Sequence, residues 1–191
     1  MTTVNVADYA ARLSVDYPDR DLDRLSTFFR IFYLIPIAIV AGALGGMLTI
    51  PALLLIVFRQ KYPRWWFDFN LEFTRFSTRV AAYGAMISDE YPSTTDEQYV
   101  HLDLDYPDAR ELNRWAPLYK WILAIPHYLV LAVLAIAALL ALIVAWFIIL
   151  VTGRYPEGIY DFVVGVMRWG LRVEAYSILL ITDEYPPFSL G

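Results

Sequence analysis

WILAIPHYLVLAVLAIAALLALIVAWFIILVTG, residues 121–153, runs for about 33 positions without a charged side chain. An apolar stretch beyond about 18 residues is a candidate membrane-crossing helix. As a straight helix this one measures about 50 Å at 1.5 Å per residue, against a hydrocarbon core of about 30 Å. The expectation is that it tilts, kinks, protrudes, or folds back as a re-entrant hairpin. Between Ala132 and Trp146 there is no glycine, which favours one continuous helix. A second uncharged run lies between Arg30 and Arg59 and holds about 28 residues. Its Gly42, Gly45, Gly46 and Pro51 permit a bend.

The two runs belong to two copies of one unit. Val15-Asp16-Tyr17-Pro18-Asp19 matches Leu104-Asp105-Tyr106-Pro107-Asp108. Ile35-Pro36 matches Ile125-Pro126, Tyr62-Pro63 matches Tyr155-Pro156, and Asp68-Phe69 matches Asp161-Phe162. Arg75 matches Arg168, Arg79-Val80 matches Arg172-Val173, and Ala82-Tyr83 matches Ala175-Tyr176. Asp89-Glu90-Tyr91-Pro92 matches Asp183-Glu184-Tyr185-Pro186. The offset drifts by only a few residues, so the chain reads as a tandem duplication. The domains are repeat 1 over 1–92, a linker over 93–99 and repeat 2 over 100–191. Each repeat holds a polar Asp-Tyr-Pro-Asp opening, a basic stretch, the apolar run, a Tyr-Pro turn and a second helix, and closes on Asp-Glu-Tyr-Pro. The alternating segment Tyr99–Asp105 suits a short strand or extended linker.

Composition supports a non-aqueous environment. Apolar residues make up 59% of the chain and charged residues 18%, against about 45–50% and about 25% in soluble domains. The net charge of −5 lacks the basic footprint that nucleic acid requires. With no cysteine, a disulfide framework and a thiolate site are both excluded. Met1 to Asp23 carries acids and no apolar core, so the first apolar run is expected to act as the targeting element itself.

The second helix of each repeat, over roughly 64–87 and 157–181, reads as amphipathic. Asp68, Arg75 and Arg79 recur as Asp161, Arg168 and Arg172, at spacings of seven and four that place each set along one stripe. Either this helix crosses a bilayer with its charged stripe turned inward, or it lies at the interface with arginine facing headgroups. Buried ionisable groups at membrane depth default to function. These six residues are therefore the candidate contacts to lipid, partner or anion, with intramolecular pairing as the competing reading. An even number of crossings per repeat puts both termini on the more basic side, the cytoplasmic one.

No catalytic motif accompanies them. The Tyr-Pro pairs fit helix ends anchored at a headgroup level, and the tryptophans flank the runs as an aromatic belt would. His101 and His127 are isolated, without metal-ligand spacing. The acidic stretches lack an EF-hand pattern, and neither a phosphate loop nor a Gly-x-Ser-x-Gly elbow occurs. No enzyme activity, cofactor or metal is expected.

The phrases Leu123-Ala-Ile-Pro-His-Tyr128, Thr152-Gly-Arg-Tyr-Pro156, Tyr160-Asp-Phe-Val-Val-Gly165, Arg168-Trp169 and Asp183-Glu-Tyr-Pro-Pro-Phe188 resemble the DUF4389 family of small bacterial membrane proteins. The first repeat looks like a diverged copy, with Lys61 where the second has Arg154 and no Pro-Pro-Phe ending. The family name denotes unknown function, so the resemblance implies a bacterial membrane protein and supplies no catalytic residue. The expected architecture is an all-α membrane protein of two pseudo-equivalent repeats with short extended segments at the Tyr-Pro motifs. Its expected location is the plasma membrane, multi-pass. Its expected role is a structural or accessory subunit that packs with lipids, other membrane subunits or its own copies. The rivals are a small transporter or channel with an arginine-lined site between repeats, and a lipid-binding protein that shapes membranes.

Overall fold

The computed structural model describes residues 9–18, 20–45, 48–96 and 98–191. The chain is mostly helical, in the order β1 (Ala11–Val15), α1 (Arg24–Gly45), α2 (Thr49–Arg59), α3 (Arg64–Gly84), β2 (Val100–Leu104), α4 (Lys120–Leu123), α5 (Ile125–Thr152) and α6 (Glu157–Ser177). Both uncharged runs form helices long and apolar enough to cross a membrane. The glycine-free run is the single helix α5. The glycine-containing run supplies α1 up to Gly45 and α2 from Thr49, and Gly46, one of its expected bend residues, lies outside the described residues.

Local chemistry sets the ends. The Asp23 carboxylate accepts from the N–H groups of Leu25 and Ser26 at 3.1 and 3.4 Å, satisfying donors that the first turn leaves free. At the far end of α5, Gly153 takes φ +79° and returns its N–H to Ile149, a left-handed cap that costs glycine little. The equivalent position after α2 is Gln60, at φ 46°.

The all-helical expectation is corrected by a two-stranded antiparallel sheet, β1 with β2. The alternation of Tyr99–Asp105 announced β2, but β1 is equally amphipathic and its strand character went unread. Ala11, Leu13 and Val15 of β1, and Val100, Leu102 and Leu104 of β2, point inward and are buried. Arg12, Ser14, His101 and Asp103 point outward. One strand comes from each repeat.

Three layers result. The sheet covers α3 and α6, which in turn carry α1 and α5. β2 lies on α3, the helix of the other repeat, and β1 lies on α6, again the helix of the other repeat. Within a repeat the long helices run antiparallel: Leu34 faces Gly84 and Gly45 faces Phe73, while Tyr128 bonds Ser177 at 2.7 Å. Each long apolar helix buries only one narrow stripe. On α5 this is His127, Ala138, Ala145 and Ile149, flanked by half-buried residues such as Leu131, Leu142 and Trp146, and the opposite face is exposed.

The register shows how the repeats relate. Leu13 pairs with Leu102, its own repeat equivalent, and the flanking pairs Arg12–Asp103 and Ser14–His101 follow symmetrically. The ladder extends by Asp16 N–H to Tyr99 C=O and Asp105 N–H to Ala10 C=O, both 2.9 Å. An internal two-fold axis therefore passes through the Leu13–Leu102 pair. The duplication has built, within one chain, the self-complementary interface that two identical subunits make in a symmetric dimer.

Candidate functional site

Two of the four stripe arginines sit beside the axis. Arg75 on α3 donates Nε–H to the carbonyl of Leu102 at 2.8 Å. Arg168 on α6 donates Nε–H to the carbonyl of Leu13 at 3.0 Å. Those two carbonyls point out of the ladder because alternate residues of an antiparallel pair are not hydrogen-bonded to each other. Each arginine thus holds the other repeat's strand onto its own helix. Arg75 also pairs with Glu72 and Asp103, at 2.7 and 3.0 Å.

The other two arginines hold tails. Arg79 donates to Ser93 C=O at 3.0 Å. Arg172 donates to Gly191 C=O at 2.7 Å and to Ser189 C=O. Both are buried, and both brace the segment that follows the Asp-Glu-Tyr-Pro motif of their own repeat. Asp68 is exposed and pairs with Arg64 one turn earlier. Asp161 is exposed at the surface of α6. The stripe predicted at spacings of seven and four is present, and each of its arginines donates to at least one backbone oxygen, while Arg79 Nε and Arg172 Nε are buried without a hydrogen-bond partner among the described residues. Such charge-assisted bonds to carbonyls otherwise left at a sheet edge or loop are structural staples.

The first two Tyr-Pro motifs of each repeat cross over. The hydroxyl of Tyr17 donates to Tyr155 C=O, and that of Tyr106 donates to Tyr62 C=O, both at 2.5 Å. Tyr155 in turn donates to Ala85 C=O at 3.0 Å, and Tyr62 to Leu179 C=O at 2.9 Å. All four bonds pass between repeats. Burial raises the phenols of Tyr62 and Tyr155 well above their usual range, so both hydroxyls keep the proton they donate. The tyrosines do more than mark helix ends: they are the stitching across the two-fold.

The third motif supplies an anion for a buried cation. Arg30, 2% exposed, pairs with Asp89 and donates to the carbonyls of Tyr83 and Ser88 at 3.1 and 2.7 Å. Its guanidinium lies 4.7 Å from the centre of the Tyr83 ring. At the equivalent place Lys120, also 2% exposed, pairs with Asp183 at 2.7 Å and donates to Thr182 C=O at 2.7 Å. Its ammonium lies 5.1 Å from the Tyr176 ring. Burial lowers the Lys120 pKa and Asp183 opposes that shift. The second carboxylate oxygen of each aspartate takes a backbone N–H, from Asp23 at 2.7 Å and from Asn113 at 2.6 Å. These two latches went unread in the sequence. Their signal was there: Arg30 and Lys120 occupy equivalent positions at the mouths of the two runs.

Basic side chains collect at the two ends of the apolar face. Leu22 N–H bonds Gly153 C=O at 2.7 Å and Arg154 reaches Asp21 at 3.4 Å, so the start of α1 meets the end of α5. Arg114 bonds the carbonyls of Val57 and Phe58, so the end of α2 meets the segment leading to α4. Among the described residues, no group of three or more His, Asp or Glu is placed to hold a metal ion.

Comparison with known proteins gives one family. Residues 24–95 and 114–189 each match the family described as Domain of unknown function (DUF4389), so the two repeats of the fold are two copies of one domain. No curated protein and no solved structure matches the chain.

Proposed function

The chain belongs to the DUF4389 family, a domain of unknown function held here in two copies, and from that premise we propose that it is a non-catalytic membrane component seated in one leaflet. Its α1 and α5 helices lie along the membrane plane with the internal two-fold axis close to the membrane normal. Its polar sheet faces water. In this seat it serves as a structural or accessory element, its apolar face open to lipid and to the helices of partner subunits.

One observation carries the reading: the apolar helices and the charged sheet lie on opposite sides of the molecule and run lengthwise together. β1 follows α6 from Tyr9, bonded to Arg172 C=O at 3.3 Å, to Val15, bonded to Tyr160. α6 in turn follows α5. An upright α5 would carry the sheet to the same depth. The pairs Arg12–Asp105 and Arg75–Asp103, all partly exposed, would then face hydrocarbon near the midplane, at about 3 kcal/mol or more for each charge. A sheet edge facing lipid is equally disfavoured. Lying flat, α1 and α5 instead sink Phe28, Phe32, Ile39, Leu129, Val133, Leu140 and Phe147, all exposed, into acyl chains. The flat seat also removes the length mismatch, since α5 with its 28 residues measures about 42 Å against a core of about 30 Å.

The basic ends support the cytoplasmic leaflet, whose anionic lipids attract Lys and Arg near the surface. Arg20, Arg24 and Arg154 rim one end, and Arg59, Lys61, Arg110 and Arg114 the other. The bonds from the candidate arginines to backbone oxygens favour a structural role for them over a transport site.

The chain lacks cysteine, so single-cysteine labelling is clean. In sealed vesicles carrying the protein, Ser14→Cys on the sheet is expected to react fully with an impermeant maleimide, and Leu140→Cys to resist it. A shielded Ser14→Cys that reacts only after detergent is added would refute the seat. Native mass determination after mild extraction reports the partners.

A further inference from the structure

We infer that the groove between α1 and α5 binds one membrane amphiphile, its acyl chain along the groove and its ester carbonyl accepting from Thr27. The groove has a volume of about 390 Å³ and is lined by apolar side chains of α1 and α5, among them Ile31, Leu139, Ile143 and Trp146. That is within the range of small-molecule sites, about 300–1,000 Å³. Acyl chains are the matching chemistry for such walls.

The polar residues that line it are the specific feature. Thr27 and Arg30 are the two, and they are 1% and 2% exposed. Among the described residues, Thr27 Oγ1 and Arg30 Nε have no hydrogen-bond partner. Thr27 shares this state with Thr74, which lines no such groove, and differs from Thr78 and Thr152, whose hydroxyls bond the carbonyl four residues earlier, at 2.8 Å each. A buried donor without an acceptor is costly, and the pairing of such groups is the rule in native proteins. Here an ester carbonyl in the groove would supply the acceptor that Thr27 lacks.

Charge decides which acceptor. Arg30 is already neutralised by Asp89, so a carboxylate or phosphate would bring an unmatched charge into an apolar site. A neutral carbonyl oxygen fits, which selects an ester within a lipid over a free fatty acid. The inference rests on the membrane-seated reading for the supply of ligand, but its test does not use a membrane.

The test is binding to purified protein in detergent micelles, with methyl palmitate as probe and hexadecane as the same chain without a carbonyl. The expected result is saturable binding of methyl palmitate at one per chain. Thr27→Val should weaken it about fivefold, the worth of one neutral hydrogen bond, and leave hexadecane unchanged. With its orphan hydroxyl removed, the ligand-free Thr27→Val protein should melt no lower than the parent. Ile143→Trp, a change at an exposed position that fills the groove, should abolish binding of both probes. The inference is overturned by non-saturable binding, by equal Thr27→Val effects on the two probes, or by Ile143→Trp without effect. Because these readouts need no bilayer, they fail independently of the vesicle labelling above.

Discussion

Replacing Asp89 by asparagine removes the anion from a cation that cannot discharge. Arginine side chains stay charged in proteins; Arg30 is 2% exposed, and its remaining partners are the Tyr83 and Ser88 carbonyls and the Tyr83 ring. Leaving a buried charge uncompensated costs about 3–5 kcal/mol. The amide oxygen of the introduced side chain still accepts one bond, which places the loss near the lower end, about 3 kcal/mol. The second repeat is the internal control. There the cation is Lys120, whose pKa burial already lowers, and its Asp183 is one-third exposed. Asp183→Asn is expected to cost less, about 1–2 kcal/mol near neutrality, because water already reaches the carboxylate side of the pair.

The pH response separates the two further. In Asp183→Asn the native Lys120 titrates below its unfolded value of about 10.5, so between the two the unfolded chain binds more protons and stability rises with pH. The Asp183→Asn deficit should therefore shrink as pH rises toward the unfolded lysine value of about 10.5, while the Asp89→Asn deficit shows no such response. Urea unfolding in micelles, followed by tryptophan fluorescence, reads both, and a cycle with Arg30→Met isolates the coupling. A loss below about 1 kcal/mol for Asp89→Asn, or identical pH responses in the two variants, would refute the reasoning.

Three further outcomes follow from the same geometry. Glu174 has no ion pair among the described residues and burial pushes its pKa up to about 7. The native state then holds a proton that the unfolded state has lost, from about pH 4.5 upward, so stability should fall by about 2 kcal/mol as pH rises to 7. Glu174→Gln should flatten that fall in pH-dependent melts. Gly165→Ala would bring a Cβ within 2.9 Å of the Leu190 carbonyl, displacing the Pro187–Gly191 segment at about 1–3 kcal/mol, readable as faster proteolysis of that segment. Cutting the chain within Ser93–Asp96 leaves two halves whose strands and tyrosines belong on each other's helices. Expressed together they should copurify, and either alone should be degraded; a stable lone half would contradict the crossed packing.

Much of the fold was legible. Collinear motifs gave the duplication, and uncharged runs gave α1, α2 and α5. β1 was legible in principle, since Ala11–Val15 alternates apolar and polar residues just as β2 does; its five residues are simply too short a run to distinguish from a polar leader without the pairing strand. The crossing of each strand onto the other repeat's helix was equally hidden, since sequence spacing says nothing about which copy a partner comes from. The stripe of Arg75, Arg79, Arg168 and Arg172 was readable from helical spacing. Its partners were not, because backbone carbonyls of Leu13, Leu102, Ser93 and Ser189 leave no trace in side-chain identity. Arg30 and Lys120 read as charges bounding the runs, whereas folding turns both inward toward Asp89 and Asp183.

The seat of α1 and α5 along one leaflet is tested most directly by the depth of single spin labels along α5 in vesicles. Labels at Leu129, Val133, Ile136, Leu140, Val144, Phe147 and Val151, attached through cysteines in an otherwise cysteine-free chain, lie three and four residues apart along one face and are expected to share one depth, with no trend from one end to the other. A depth that passes from surface through midplane to the opposite surface between Leu129 and Val151 would contradict the account.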